Sequence, residues 1–481
     1  MSISNSLSNA LSGMTAASRM AEVVSSNVSN SLTDGYGRRS LNLSSAVIGG
    51  RGAGVEIGSI TRHVDSGILA DRRLAGASLG GYGSLVSTMN RIQDVVGEAG
   101  STGSISSRIV AVESALIDAA SDPSSRNNLS ALAEKLRDAA TSLNTASHGI
   151  QTERQRADAS ISDQVDRLNT ALGQVQQLNK DIMTAHNTGY DPSGLQDQRQ
   201  LIIDGISEIV PVRELHRAGG QIALMTPSGE TLIDGEPKVF GFVQNAVITP
   251  DMTLQSGGLS GITLNGQPIA SDGVGKLAGG TLGAAFQARD IELVAAQEGL
   301  DTIAVDLISR LQDPSVDPTL AVGQAGLLTD AGAAHNAANT VGLSSRISLN
   351  AFVDPSAGGT VTKLRDGLNA TSSGPSGNAS LLQAISGALA EARTTPIDSI
   401  QQSVAGRASN FEGDMGSKRV EFESEVSFAN ARWSSLKEAE SANGVDTDYE
   451  MQMLLRVEQA YAANARVIQT VETLMQRLME I

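Results

Sequence analysis

LSALAEKLRDAATSLNTASHGIQTERQRADASISDQVDRLNTALGQVQQLNKDIMTA, residues 129–185, is the stretch on which the fold turns. Leu129, Leu132, Leu136, Ala139 and Leu143 lead on to Ile161, Val165, Leu168, Leu172, Val175, Ile182 and Ala185, at the spacing of an amphipathic helix. The pattern is interrupted only around His148-Gly149. A helical period sustained well beyond about 25 residues implies a coiled coil or rod-like bundle, not a compact enzyme core.

Both ends of the chain carry a related pattern. Ile3, Leu7, Ala10, Met14, Ala17, Ala21, Val24 and Val28 step by four and three residues in alternation, and so do Leu454, Val457, Tyr461, Asn464, Ile468, Val471, Met475 and Leu478. Isolated helices of this length are marginal in water, and a large apolar side chain gives its ~1.5–3 kcal/mol only once it is covered. The ends are therefore expected to pair with each other, with neighbouring copies, or with both. Leu7, Leu11, Met14 and Val24 face that interface from one side, and the Leu454 to Leu478 seam from the other. Asn464 has two readings, a register-fixing polar residue or a solvent-facing edge of an incompletely covered seam. Tyr461 reads as packing surface.

Composition removes alternatives. The 481 residues include one Trp, five Tyr, seven Phe and no Cys, so cohesion comes from aliphatic and alanine packing without disulfides or thiolate metal sites. A net charge of -17 argues against nucleic acid or an anionic membrane as main partner. No run of 18 apolar residues offers a membrane span, and no signal-peptide pattern opens the chain, so any export is expected to use a route that reads no cleavable leader. His63, His148, His186, His216 and His335 lie in separate segments without metal-ligand spacing, and no catalytic residue, metal or cofactor is expected. Gly49 to Gly54 lacks the Lys-Ser/Thr pair of a phosphate loop and reads as a flexible loop. Asp446, Asp448 and Glu450 read as capping for the last helix.

The predicted organisation is mainly α with an inserted β domain. Residues 1–64 form a terminal helix and short extended pieces, 65–205 a long helical bundle, 206–280 an antiparallel β domain, and 281–312 a further bundle helix. Residues 313–395 are a loop-rich mixed segment, 396–445 a return helix and 446–481 the C-terminal helix. Hairpin signals at Pro227-Ser228-Gly229, Asp234-Gly235 and Asn265-Gly266 support the β reading. The expected arrangement is elongated: termini paired in a coiled-coil-like way at one pole, the α bundle central, and the β domain distal.

Asn27-Val28-Ser29-Asn30-Ser31-Leu32-Thr33-Asp34-Gly35-Tyr36-Gly37-Arg38 resembles the N-I-A-N-x-x-T-x-G-Y-x-R signature of the flagellar rod, hook and hook-associated axial family, with Asn27, Asn30, Thr33, Gly35, Tyr36 and Arg38 matching. Glu458 to Ile468 resembles that family's Q-x-A-Y-x-A-x-A-x-V-I segment. In the middle, Leu195 to Asp204 with Val210-Pro211-Val212, and Gly280 to Gly283 with Arg289-Asp290, are similar to the D-Q-R-x-x-L-x-D … V-P-V and G-x-L … R-D segments of its hook-associated branch. Residues 313–395 match nothing in the family pattern.

The resemblance implies a non-enzymatic structural protein at the junction between hook and filament that templates filament assembly. It implies unfolded travel through the flagellar type III export channel, a transient cytoplasmic stage, and an extracellular place in the flagellum. The partners it implies are further copies of the chain, the hook protein, the next hook-associated protein, and an export chaperone on the C-terminal helix. Asn27, Asn30, Gly35 and Tyr36 join the seam residues as its assembly interface. A rod or hook subunit is the alternative, and a wall-active enzyme with an axial terminus a remote one.

Overall fold

Helix dominates the computed structural model, which describes residues 3–48 and 51–479. Helix α1 (Ile3–Ser29) is followed by strands β1 (Arg38–Ile48) and β2 (Arg51–His63). Four helices come next: α2 (Ser66–Val96), α3 (Ile105–Ser121), α4 (Arg126–Thr188) and α5 (Ser193–Ile209). The chain then forms β3 (Arg213–His216), β4 (Ile222–Met225), β5 (Thr231–Asp234) and β6 (Glu236–Pro237). Short strands β7 (Phe240–Gly241), β8 (Thr263–Leu264) and β9 (Gln267–Pro268) lead to α6 (Gly280–Gln287) and α7 (Leu293–Leu311), joined by a π-helical turn at Ala288–Glu292. Beyond them lie β10 (Leu328–Asp330), β11 (Ile347–Leu349), α8 (Lys363–Asp366) and α9 (Ser380–Ala390). The chain ends on α10 (Val404–Ala442) and α11 (Thr447–Met479). It is thus mainly α with inserted antiparallel sheets, as its sequence predicts.

Two compact units share these elements. One comprises Met1–Leu79, Asp166–Val239 and Phe428–Ile481, and the other Gly80–Val165 and Phe240–Ser427.

The second unit holds the main core. Leu129, Leu132, Leu136, Leu143 and Ile150 of α4 cluster with Ile92 of α2, Ile109 and Leu116 of α3, and Leu300, Ile303 and Ile308 of α7, all essentially without solvent contact. The expected break at His148-Gly149 is absent. Gly149 instead marks a close approach, because a Cβ there would stand 2.7 Å from Val95 Cγ1 near the end of α2. The helix accepts the ~1 kcal/mol propensity cost of glycine because the contact needs its missing side chain. The segment 313–395 is also part of this core: Leu320, Leu328, Leu343, Ile347, Leu364, Leu382 and Ile385 are buried in the same cluster. Its α9 packs on α3 and α7.

Buried charge fastens the loops of this unit. Arg289, fully buried in the π-helical turn, pairs with Asp158 at 2.6 Å and Asp290 at 2.8 Å and lies over the rings of Phe286 and Phe242. Arg154 donates to the carbonyls of Thr249 and Met252, and burial holds its pKa below the usual arginine range. Such pairs add little net stability, but each donor left without its acceptor would be costly, so they select one path for the 240–262 loop.

The 206–280 stretch is not one β domain. The turns at Pro227-Ser228-Gly229 and Asp234-Gly235 close hairpins of the four-stranded sheet β3-β4-β5-β6, while Asn265-Gly266 closes β8 onto β9 in a separate sheet ordered β7-β8-β9. The first sheet clusters with the chain termini and the second with the main core, which replaces the expected distal domain. The first sheet is anchored in its unit by ions that turn signals cannot reveal: Arg73 of α2 pairs with Glu214 of β3 and donates to the Gln200 carbonyl. The short extended pieces expected after α1 are two long antiparallel strands paired from Arg38↔His63 to Ile48↔Arg51, with register shifts between Leu41 and Leu43 and between Ser45 and Val47. Residues 51–54 belong to β2 and are not a loop, whereas Gly49 and Gly50 lie outside the described residues.

Candidate functional site: the terminal helices and their clamp

Helix α11 begins on a capped turn, with the Asp446 carboxylate accepting the N–H groups of Asp448 and Tyr449 at 3.0 Å each. It packs along α1, and the contacts of Gly13 with Asn464 and of Arg38 with Glu450 show that the two run antiparallel. Only one strand of each predicted seam is covered. Ala10, Ala17 and Val24, spaced by sevens, are buried on α1, as are Val457 and Val471 on α11. Met14, Leu454, Asn464 and Ile468 are half-buried. Leu7, Leu11, Tyr461, Met475 and Leu478 face solvent, Leu478 with 61% of its surface exposed. Exposed with them, and not anticipated from the heptads, are Leu455, Val467 and Leu474. A seven-residue step from Ala460 through Val467 to Leu474 was the signal for the second stripe.

The loop after α1 is fixed from within. Asn27, fully buried, donates to the Arg39 carbonyl at 2.8 Å and accepts the Arg39 N–H at 3.0 Å and the Tyr36 hydroxyl at 2.9 Å. Burial raises the Tyr36 phenol pKa, and the Arg39 guanidinium lies 4.8 Å above its ring. Asn30 closes the last turn by donating to the Ser26 carbonyl at 2.9 Å. Gly35 has φ +76°, and a Cβ on it would strike Leu201 of α5 at 2.8 Å, so only glycine fits both the turn and the contact.

A second motif receives this loop. Asp197 of α5 accepts the Gly37 N–H at 3.1 Å, Arg39 Nη2 at 2.6 Å and Arg62 Nε at 2.7 Å. Arg62 also donates to the Gly35 carbonyl and to Gln200. Asp204, two turns further on, takes Arg72 at 2.7 Å and Arg73 at 2.6 Å, and Arg72 pairs with Glu440 of α10. Arg38 lies over the Tyr449 ring and pairs at 2.8 Å with Glu450, whose side chain is almost fully buried. Glu450 therefore does more than cap a helix. Arg199 sits beneath, donating to Asn179 and the Gly220 carbonyl, with burial lowering its pKa to about 10. The N-terminal signature and the D-Q-R stretch, remote in sequence, form one clamp holding α1, the β1–β2 hairpin and α11 to α5.

Among the described residues no cluster of His, Cys, Asp or Glu could hold a metal ion, and no helix is long and apolar enough to cross a membrane. The histidines stay dispersed: His63 bonds Ser40, and His335 is half-buried with its pKa lowered by burial. An open hollow of about 440 Å³ lined by Asn90, Gln93, Asp94, Gly97, Glu98 and Arg419 lies in the second unit.

Residues 89–314, which carry α3 to α7 and most of the main core, match the family described as the flagellar hook-associated protein FlgK helical domain. Over those residues the chain is similar to that helical domain. Flagellar hook-associated protein 1 of Bacillus subtilis (strain 168) is 24% identical over 220 residues, 43% of this chain and 43% of that protein. The protein of that name from Escherichia coli (strain K12) is 24% identical over 240 residues, 48% of this chain and 44% of its own length. The chain thus matches less than half the length of these curated relatives. Among solved structures, the flagellar hook junction protein FlgK from Burkholderia pseudomallei aligns with a TM-score of 0.44 at 20% identity, over 54% of this chain and 46% of that one. The FlgK helical match lies outside the clamp's N-terminal half, so it and the terminal signatures bear on different parts of the chain.

Proposed function

We propose that this chain is a structural subunit of the bacterial flagellum that forms the junction between hook and filament and templates filament assembly. The observation that carries the reading is the half-covered pair of terminal helices: a clamp of five arginines and three carboxylates fixes their pose, yet Leu7, Leu11, Tyr461, Val467, Leu474 and Leu478 are left facing out. A subunit built into a wall needs such faces for several neighbours at once, whereas a free monomer would gain by covering them. The neighbours are further copies, the hook protein below and the next hook-associated protein above. Before export, in the cytoplasm, the same outward stripe of α11 suits a chaperone that shields apolar surface. The chain then leaves by type III export and acts outside the cell, without catalysis.

Deletion of the gene tests this. Cells should build hooks and release flagellin into the medium, as read by electron microscopy and by blotting of culture supernatant. Absence of hooks would place the chain in the rod or hook, and normal filaments would remove it from the axial structure.

A further inference from the structure

Helix α1 contains a single glycine, Gly13, and α11 a single asparagine, Asn464, and the two meet. We infer that this pair is the register key of the terminal helices: Asn464 is admitted only where α1 has no side chain.

A Cβ on Gly13 would stand 2.8 Å from Asn464 Nδ2, closer than real Cβ contacts come, and 3.0 Å from Cγ and Oδ1, tighter than nearly all of them. Swinging aside would cost the asparagine the hydrogen bond its amide donates to the Ala460 carbonyl one turn back at 3.0 Å. Nor can α1 back away. Ser12, the neighbouring residue, accepts the Val55 N–H of β2 at 3.1 Å and so ties the same turn of α1 to the hairpin. A slip by one heptad would bring Ser6 or Met20 against Asn464 and would set Val457 or Val471 over the gap at Gly13. Either slip exchanges a fitted contact for a clash or a cavity. The alanine-rich remainder of α1, with Ala10, Ala16 and Ala17 buried, discriminates poorly between registers because its side chains are alike. One polar residue in an otherwise apolar seam is a known means of choosing among them. Register decides which residues end up side by side on the outward face, so the key governs the shape offered to neighbours. That consequence rests on the assembly reading; the key itself does not.

The test uses the full-length protein. Helix propensity alone predicts that Gly13→Ala slows hydrogen exchange in α1, since alanine is the better helix former. The key predicts the opposite: exchange in α1 about tenfold faster, from overpacking, with exchange in the 89–314 core unchanged. Gly13→Ala with Asn464→Ala should restore protection. In a second measurement, spin labels on Leu11→Cys and Leu478→Cys, placed in a chain with no native cysteine, should give one distance in the parent. Asn464→Leu should add a population displaced by about 10 Å, one heptad of helix rise. Slower exchange in Gly13→Ala, an unprotected α1 in the parent, or a single distance in Asn464→Leu overturns the proposal. If the pairing responds as expected while cells lacking the gene still carry normal filaments, the key stands and the flagellar reading falls.

Discussion

Two regions of the molecule close by different means. Around α4 and α7 the core is made of leucine, isoleucine and alanine, each essentially out of contact with solvent. Around the termini, α1 and α11 bury mainly alanine and valine, and the pose is set by Asp197, Asp204, Glu450 and the arginines they receive. Apolar burial holds by area and tolerates small adjustment, whereas charge-assisted hydrogen bonds fix position and weaken abruptly when one partner goes. The contrast suits a body that must persist and ends that must be aimed.

Cutting into the aliphatic side should have the largest effect. Leu300→Ala, at a fully buried site on α7, should cost 2–5 kcal/mol on the scale of core truncations, measured by denaturant unfolding of the free protein. If it costs as little as a surface change, the core is not where stability resides. Asp197→Ala comes next. It strands the Gly37 N–H and two guanidinium groups, and on the scale of about 1.5–3 kcal/mol for bonds to charged groups it should loosen the clamp. Hydrogen exchange should rise from Gly35 through β2 while the α4–α7 core is unmoved. Melting of the core along with the hairpin would show that the two units are not separately stabilised.

His335 gives a smaller signal, on the aliphatic side. Neither ring nitrogen has a hydrogen-bond partner among the described residues, and burial puts its pKa below the usual histidine value. With the folded pKa under the unfolded one, near 6.5, the folded state is the poorer proton binder. Stability should be fully present above that pH and fall as the pH drops below it. His335→Gln should flatten the slope in melts between about pH 7 and 5; an unchanged slope would assign it to other groups. Least affected should be Leu478→Asp, whose melting in the free protein should stay within about 0.5 kcal/mol of the parent, since the site is solvent-facing. The same variant should not join a filament. Assembly at parental levels would remove the outward stripe from the interface.

How much of this could be read in advance followed the range of the interaction. The α4 stripe and the three hairpin turns are local patterns, legible because a helix period or an Asn-Gly pair acts within a few residues. Gly149 misled because a glycine has the same letter whether it breaks a helix or lets another helix approach, and Val95 decides which. Leu320, Leu343 and Leu364 sit among turns at no regular spacing, so their place in the core had no periodic trace. At the site, the seam heptads were readable but not which half would be covered. The clamp was not legible: the resemblance named its two segments without joining them, Arg62 and Asp197 are 135 residues apart, and nothing in either neighbourhood names the other.

Asn27 gives the N-terminal signature a further meaning. By donating to one peptide oxygen and accepting from the same residue's N–H, its carboxamide copies what a neighbouring strand would offer Arg39, so a helix residue stands in for one rung of a β ladder. Of the side chains, only Asn and Gln carry donor and acceptor in a peptide-like plane, and Gln is one methylene longer. Replacing Asn27 by aspartate alters a single heavy atom, yet it exchanges the donor for a second acceptor facing a carbonyl. Measured by volume this is the mildest change available there; measured by complementarity it is among the worst.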